Sequence, residues 1–419
     1  MTGSAYEFAS SQMMLTRQIF LSPSGWYTRY MLRALLQQTF VVTAGILIVA
    51  LTVDLAPQLR QILADGPEGE GFWVVLRLAR YIMLRGADFA PRLLPIGCFL
   101  GVMTCEISHT WSRERLAVWN SGRSPLQCLV PALILSVLAG LIQVAFDGYL
   151  RPAAVAVQIA EHLGEYGAIF DRRPTTNRVW ITAGNNLVAS RVEFGPPPVL
   201  RDLMIYRLRS DGRLTEVVAA KEARPGPGKD LWNANGVSQW DISDDGQANG
   251  AGGGRPEKSQ ENAEIVLPLD PLWLSNLRLS PMFMPHQVLT QLADTEGVLW
   301  RHRYQTWVQV RYADMILPAG MVLLATSLSL LLLPYGASFN AMVTMAVAGY
   351  AGHVSMRAFV LLGEHGYVEP AVAAWTTPVT QLIAASIILT VVQLRRKIVR
   401  VVSRAAFPPL QNRRQRLPL

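Results

Sequence analysis

The side chains that could do chemistry in this chain are few and dispersed. Its six histidines are scattered, with no His-Glu-x-x-His pair to hold zinc, no Gly-x-Ser-x-Gly turn to present a nucleophile and no aspartate cluster. No hydrolytic site is therefore readable from local motifs, and the chain is not expected to be an enzyme. Pro225-Gly226-Pro227-Gly228-Lys229 superficially resembles a phosphate loop. The pattern Gly-x-x-x-x-Gly-Lys-Ser/Thr would need glycine at Ala223 and a hydroxyl at Asp230, so no nucleotide site is assigned and no cofactor is expected on this chain. Cys98, Cys105 and Cys128 all fall in apolar stretches and read as small packing residues rather than a disulfide framework. What remains are charges at the edges of apolar runs. His353 and Arg357 stand four residues apart and share a helix face. Arg357, near the end of its run, can snorkel to the headgroups or stay within as a functional cation. Asp54 and Glu106 sit near the ends of two other runs, where ion pairing is the simpler reading.

Those charges are positioned by long apolar elements. Arg33 and Asp54 bracket twenty uncharged residues, Arg123 and Asp147 bracket twenty-three, and nothing from Met315 to Met356 carries a formal charge with histidine neutral. A helix needs about 20 residues to cross a hydrocarbon core of about 30 Å, so each stretch is long enough to span a membrane. Charged residues make up only 16% of the chain, below the roughly 25% of soluble domains, as an integral membrane protein requires. Six spans are expected, near 34–56, 93–112, 125–146, 312–333, 339–361 and 371–394. Pro334 and Gly336 in LLLLPYGASFN divide the fourth from the fifth. No cleavable signal is visible, so the first span is retained as an anchor.

The expected fold is an α-helical membrane protein with three spans on each side of an inserted all-β, jelly-roll-like domain. Residues 1–30 form an N-terminal segment and 31–150 the first three spans. The insert covers 151–302, the last three spans 303–394, and a basic tail 395–419. VWITAGNNLVASRVEF and LRDLMIYRLRSDGRLTEVV alternate apolar and polar residues, with Asp211-Gly212 as a hairpin turn; LWNANGVSQWDI and AEIVLPL supply further strands. The low-complexity stretch 243–262 reads as a flexible loop.

Counting basic residues orients the chain. Arg17, Arg29, Arg33, Arg113, Arg115, Arg123 and the eight cations of the tail would lie on one side; only Arg60, Arg77, Arg80, Arg85 and Arg92 lie on the other outside the insert. The positive-inside rule then puts both termini in the cytoplasm and the insert in the periplasm. The net charge of +8 is explained by the tail as an anchor on anionic lipid, not by nucleic acid. Arg77, Arg80 and Arg85 interleave with Val74, Leu78, Tyr81 and Leu84 at helical spacing, as in a surface helix on the outer leaflet.

Between spans two and three the sequence is SRERLAVWNSGRSPLQ. Arg113, Glu114, Leu116, Ala117 and Trp119 make a short amphipathic helix, which Gly122 ends before Ser124-Pro125 opens the third span. Pattern alone allows a solvated turn or a helix that takes force from a cytoplasmic partner.

Here the chain resembles the LptF/LptG-type permeases of lipopolysaccharide export. The family pattern, roughly E-L-x-A-x-R-A-A-G-x-S, is met at Glu114, Ala117, Gly122 and Ser124 and departed from at Arg115, Trp119, Asn120 and Ser121. Tyr30 with Arg33, Val53-Asp54-Leu55, PRLLPIGCFLG, Leu150-Arg151-Pro152 and EHGYVEPAVAAW are similar too, and VDLAPQLR and AAW lean to the LptG side. The resemblance implies a subunit of an ABC transporter in the bacterial inner membrane. It would pair with a second such permease and dock on a cytoplasmic ATPase dimer that uses the ATP. It would extract lipopolysaccharide and pass it to a periplasmic jelly-roll bridge protein. Residues 112–122 become the coupling helix, with Glu114 meeting a basic groove on the ATPase and Trp119 as an apolar anchor. Arg60, Arg77, Arg80, Arg85, Arg92, His353 and Arg357 become candidate contacts for lipid phosphate. A secondary transporter or channel would be expected to carry several midplane charges; a force-transmitting permease of a tripartite machine would have four spans.

Overall fold

A computed structural model describes residues 25–406, except 65–70, 172–174, 196, 229, 243–257 and 296–299. Most of the N-terminal segment, the greater part of the expected loop, the Arg60 side chain and the end of the basic tail lie outside the described residues.

The helical region is built from longer pieces than the apolar windows indicate. α1 (Trp26–Ala64) and α2 (Gly71–Trp111) are single helices. Residues 74–85 are thus the first half of α2 rather than a separate surface helix, and Tyr81 and Arg85 face α1 through Asp54. A short helix, α3 (Glu114–Asn120), and a one-turn helix at Pro125–Cys128 lead to α4 (Val130–Ala145). A π-turn at Phe146–Leu150 carries α4 into α5 (Arg151–Ala160), so the third span runs to residue 160. After α6 (Gly164–Asp171) the chain enters the inserted sheet.

That sheet has six antiparallel strands: β1 (Val179–Ala183), β2 (Asn186–Glu193), β3 (Val199–Leu208), β4 (Leu214–Pro225), β5 (Leu231–Asp241) and β6 (Lys258–Val266). Their order is sequential, a meander without the Greek-key crossings of a jelly roll. Tight turns impose this order: Gly184 and Gly212 adopt positive φ between consecutive strands. Residues 258–262, expected within the loop, are instead the start of β6 and pair with β5. The buried face carries Val188, Val192, Leu203, Ile205 and Trp232 and joins a core shared with Trp273, Leu289, Trp307 and Val310.

The chain returns to the bundle through α7 (Pro271–Ser275), α8 (His286–Asp294) and α9 (Arg301–Ala313). α9 meets α10 (Leu317–Leu332) at a 51° bend, so the expected span at 312–333 is broken. Pro318 near the start of α10 has no N–H to continue the ladder of α9. Sixteen residues give α10 a length of about 24 Å, too short to cross alone. α11 (Phe339–Glu364) follows the expected break and is capped by Ser338, which accepts from the Ala341 N–H. α12 (Pro370–Ala406) continues into the first part of the basic tail. Among the described residues five helices are long and apolar enough to span, and the α9–α10 pair, taken as one span, makes six.

α10 is the hub, packing against α2, α4, α11 and α12. α1 is held differently, by close approach to α2. A Cβ on Gly97 would overlap the Thr43 hydroxyl and one on Gly101 the Thr39 backbone, so this Gly-x-x-x-Gly pair lets the two backbones touch. Gly101→Val should destabilise the detergent-solubilised chain by about 1–3 kcal/mol in thermal unfolding. Gly45→Ala, on the open side of α1 with nothing within 4 Å, should leave it unchanged.

Candidate functional site

The short helix α3 is bound to the bundle by one buried cation. Arg113 turns the chain out of α2 with φ of 61°, and α3 then runs back beneath the ends of α1, α2 and α10. The Arg115 guanidinium, only 7% exposed, pairs with Glu106 of α2. It also donates to the Ser329 carbonyl at 2.9 Å and the Leu333 carbonyl at 3.2 Å. Both lie at the C-terminal end of α10, where a cation is favoured, and the Ser329 carbonyl also accepts from the Leu333 N–H at 2.9 Å. Trp119 packs edge-on against Tyr335 at 6.2 Å, in the connection between α10 and α11. Leu116 is half-buried, whereas Arg113, Ala117, Asn120 and Gly122 are exposed.

The Glu114 carboxylate turns toward the bundle rather than away from it. Its Oε2 accepts from the Tyr30 hydroxyl of α1 at 3.1 Å and lies 2.6 Å from His109 Nδ1. Ser124 closes the segment as a capping box: its N–H donates to Gln127 Oε1 at 2.9 Å, and its Oγ accepts from the Gln127 N–H at 3.3 Å. Between α3 and the ends of α1, α2 and α10 lies a mainly apolar cavity of about 330 Å³.

At the opposite ends of the spans the candidate rim cations prove largely internal. Arg85 is 4% exposed and grips Asp54 of α1 through two bonds, at 2.6 and 2.8 Å. It also reaches Asp88 at 3.4 Å and stacks on Phe89 and Tyr166. Arg92 pairs with the same Asp88 at 2.6 Å, Arg151 pairs with Asp147 and approaches Asp88, and the Tyr166 hydroxyl donates to Asp88 at 2.9 Å. Burial, then the Asp88 carboxylate, push the Tyr166 phenol above its ordinary pKa, so it stays a donor. Arg80 pairs with Glu161, and Arg77 is half-buried on the same helix. Arg80 and Arg85 therefore tie α2 to the elements around it instead of lying on a leaflet.

Arg357 differs. It forms no ion pair or hydrogen bond among the described residues, and with Arg92, Arg151, His353 and Asp314 it lines a cavity of about 40 Å³ between the spans. Arg92 and Arg151 are already paired with Asp88 and Asp147, so Arg357 and Asp314 are the charged groups of this lining without an ion pair among the described residues. The sequence reading missed Asp88, whose spacing from Arg85 (three residues) and Arg92 (four residues) is the signal that would have paired them.

A polytopic helical bundle that carries an extramembrane antiparallel sheet, with its charges spent on fixing helices to one another, defines a membrane permease architecture. The particular family follows from comparison: the model for the lipopolysaccharide export system permease LptF/LptG matches residues 29–391, and the chain belongs to that family. It is thus a multi-pass permease of lipopolysaccharide export and not an enzyme. The family takes in both LptF and LptG. No curated protein matches the chain.

The Arg115 clamp has a measurable consequence. Arg115→Met strands Glu106 and should cost about 3–5 kcal/mol in thermal unfolding, the range for breaking one side of a buried pair. Adding Glu106→Gln to Arg115→Met should recover a large part of that loss.

Proposed function

We propose that this chain is one permease of an ABC transporter that extracts lipopolysaccharide from the inner membrane. ATP is hydrolysed by a separate cytoplasmic ATPase dimer, and α3 is the helix on which that dimer acts. The carrying observation is the attachment of α3: Arg115 bonds it to α2 and to the end of α10, while Arg113 and Asn120 are exposed. A short helix fixed inwardly and exposed outwardly suits a lever. Glu114 and Trp119, expected as contacts of the ATPase, serve in this reading as inward ties to Tyr30 and Tyr335. Leu116 supports the same inner face, and Gly122 and Ser124 set the turn into the third span.

The excess of basic residues at the N-terminal segment, the α2–α4 connection and the tail supports cytoplasmic termini and a periplasmic sheet domain. The sheet then has two edge strands, β1 and β6, through which a periplasmic jelly-roll bridge protein can receive lipid. A second permease of the same family completes the membrane path. α1 and α11 are the spans that suit its wall, with Phe40, Val41, Ile48, Val49, Val343, Val347 and Tyr350 exposed and apolar. Arg357 is the cation that remains for lipid phosphate, with the neutral His353 imidazole one turn away as a hydrogen-bonding group, whereas Arg85 and Arg92 act by holding the helices that frame them.

Asn120→Trp, which adds bulk at an exposed position outside the cavity lining, should abolish co-purification of the ATPase while leaving yield and thermal stability of the permease unchanged. Retention of the ATPase by both Asn120→Trp and Arg113→Glu would discard α3 as its docking element.

A further inference from the structure

Asp314 stands at the bend between α9 and α10, and two cavities meet at its side chain. The first, of about 40 Å³, holds Asp314 together with Arg357 and His353 of α11. The second, of about 230 Å³, holds Asp314 together with Arg311 of α9 and opens between Tyr149 and Tyr312. Gln143 of α4 is the other residue common to both linings. The Asp314 carboxylate makes no ion pair or hydrogen bond among the described residues.

Each cavity offers Asp314 a guanidinium that lacks a counterion. Arg357 has neither an ion pair nor a hydrogen bond among the described residues. Arg311 is 9% exposed; it donates from Nη2 to the Met284 carbonyl, while its Nε and Nη1 have no partner. The remaining charges are taken. Asp147, the other acid beside Arg311, is held by Arg151, and Arg92 is held by Asp88. One carboxylate therefore stands between two uncompensated cations, and both lie close enough to act on its charge. Arg311 and Asp314 are three residues apart, the spacing of neighbours on a helix surface. The smaller cavity has room for about two water molecules, with Gln143 and His353 as further polar partners, which lets water bridge Asp314 to Arg357.

A buried cation needs compensation, and a carboxylate fixed on one arginine would leave the other without any. We infer that Asp314 is an exchangeable counterion: it balances Arg357 through water while the smaller cavity holds no anion, and turns to Arg311 when a lipid phosphate takes its place. This rests on the reading of Arg357 as the contact for lipid phosphate. A carboxylate left on Arg357 would repel an arriving phosphate, and its transfer to Arg311 removes that repulsion. Its return to Arg357 favours release. Asp314 and Arg311 are thus positioning residues, which act on the lipid through Arg357 without touching it.

The test uses the full chain with its co-purifying partners in detergent. Thermal unfolding after removal of lipopolysaccharide reads the counterion whatever binds Arg357. Arg311→Gln and Arg357→Gln each leave Asp314 one partner, whereas the double variant leaves it none. The fall in melting temperature of the double variant should therefore exceed the sum of the two single falls, and adding Asp314→Asn should recover most of the excess. Additive falls overturn the inference.

Lipopolysaccharide retained per permease, counted by mass spectrometry, reads the exchange. Arg311→Gln should lower retention about fivefold, because Asp314 then stays on Arg357, and Asp314→Asn should raise it about threefold. The Arg311→Gln, Asp314→Asn double variant should retain as much as Asp314→Asn alone. A loss in Arg311→Gln that Asp314→Asn does not restore overturns the inference, as does a fall in Asp314→Asn itself. Unchanged retention in Arg357→Gln overturns instead the phosphate reading of that residue, and the melting series then decides the two-partner counterion by itself.

Discussion

Arg115 is the residue on which the α3 end of this permease depends. A buried guanidinium without partners would be prohibitive, and here every direction open to it is filled: a carboxylate on α2, two carbonyls at the end of α10, and the Ser329 hydroxyl. The Ser329 carbonyl keeps its bond from the Leu333 N–H while accepting from Arg115, so the contact adds to the last turn of α10 without replacing its hydrogen bond. The short helix that leaves the membrane between spans two and three is in this way attached to the span that sits at the centre of the bundle. Movement of α3 is then movement of α10, and through Leu333 and Tyr335 it reaches the connection into α11.

The other end of the bundle obeys the same rule with more participants. Asp54, Arg85, Asp88, Arg92, Asp147 and Arg151 neutralise one another across α1, α2 and the π-turn that leads into α5. Asp88 is fully buried and touches three arginines and a tyrosine, so it organises the cluster. Between these two charged ends, the α1–α2 contact is made by glycine and threonine, where small residues allow close packing. Charge at both ends and close contact in the middle fix the helices without putting ions in the apolar interior.

The six-part helical pattern and the inserted β domain were legible because their signals are local. Long uncharged runs have no other economical use in a chain of this composition, and period-two alternation with the Asp211-Gly212 turn identifies a hairpin. The break at Pro334 and Gly336 was legible for the same reason, and Ser338 caps the helix that follows it. What the sequence concealed depends on contacts distant along the chain. Arg115 departs from the family pattern and looked like one more surface cation, but its carbonyl partners at the end of α10 lie more than two hundred residues away. Arg85 fits a surface helix by periodicity, since hydrophobic spacing cannot reveal that Asp54 waits on a neighbouring helix. The 51° bend after Ala313 was hidden because the expected span begins at 312, which leaves most of the polar helix α9 before the bend outside it. The meander order of the strands was equally invisible, since alternation specifies strands and not their neighbours.

The claim that α3 and α10 move as one body is tested most directly by distances between spin labels in the assembled transporter. Labels on Ala117→Cys and Gly336→Cys, in a chain whose three native cysteines are replaced by serine, report across the clamp. The clamp predicts that this distance stays within about 2 Å between nucleotide-free and nucleotide-bound states, the scale of a small helix shift. A change of about 5 Å or more, a full helical turn, would show that α3 slides independently and would contradict the account.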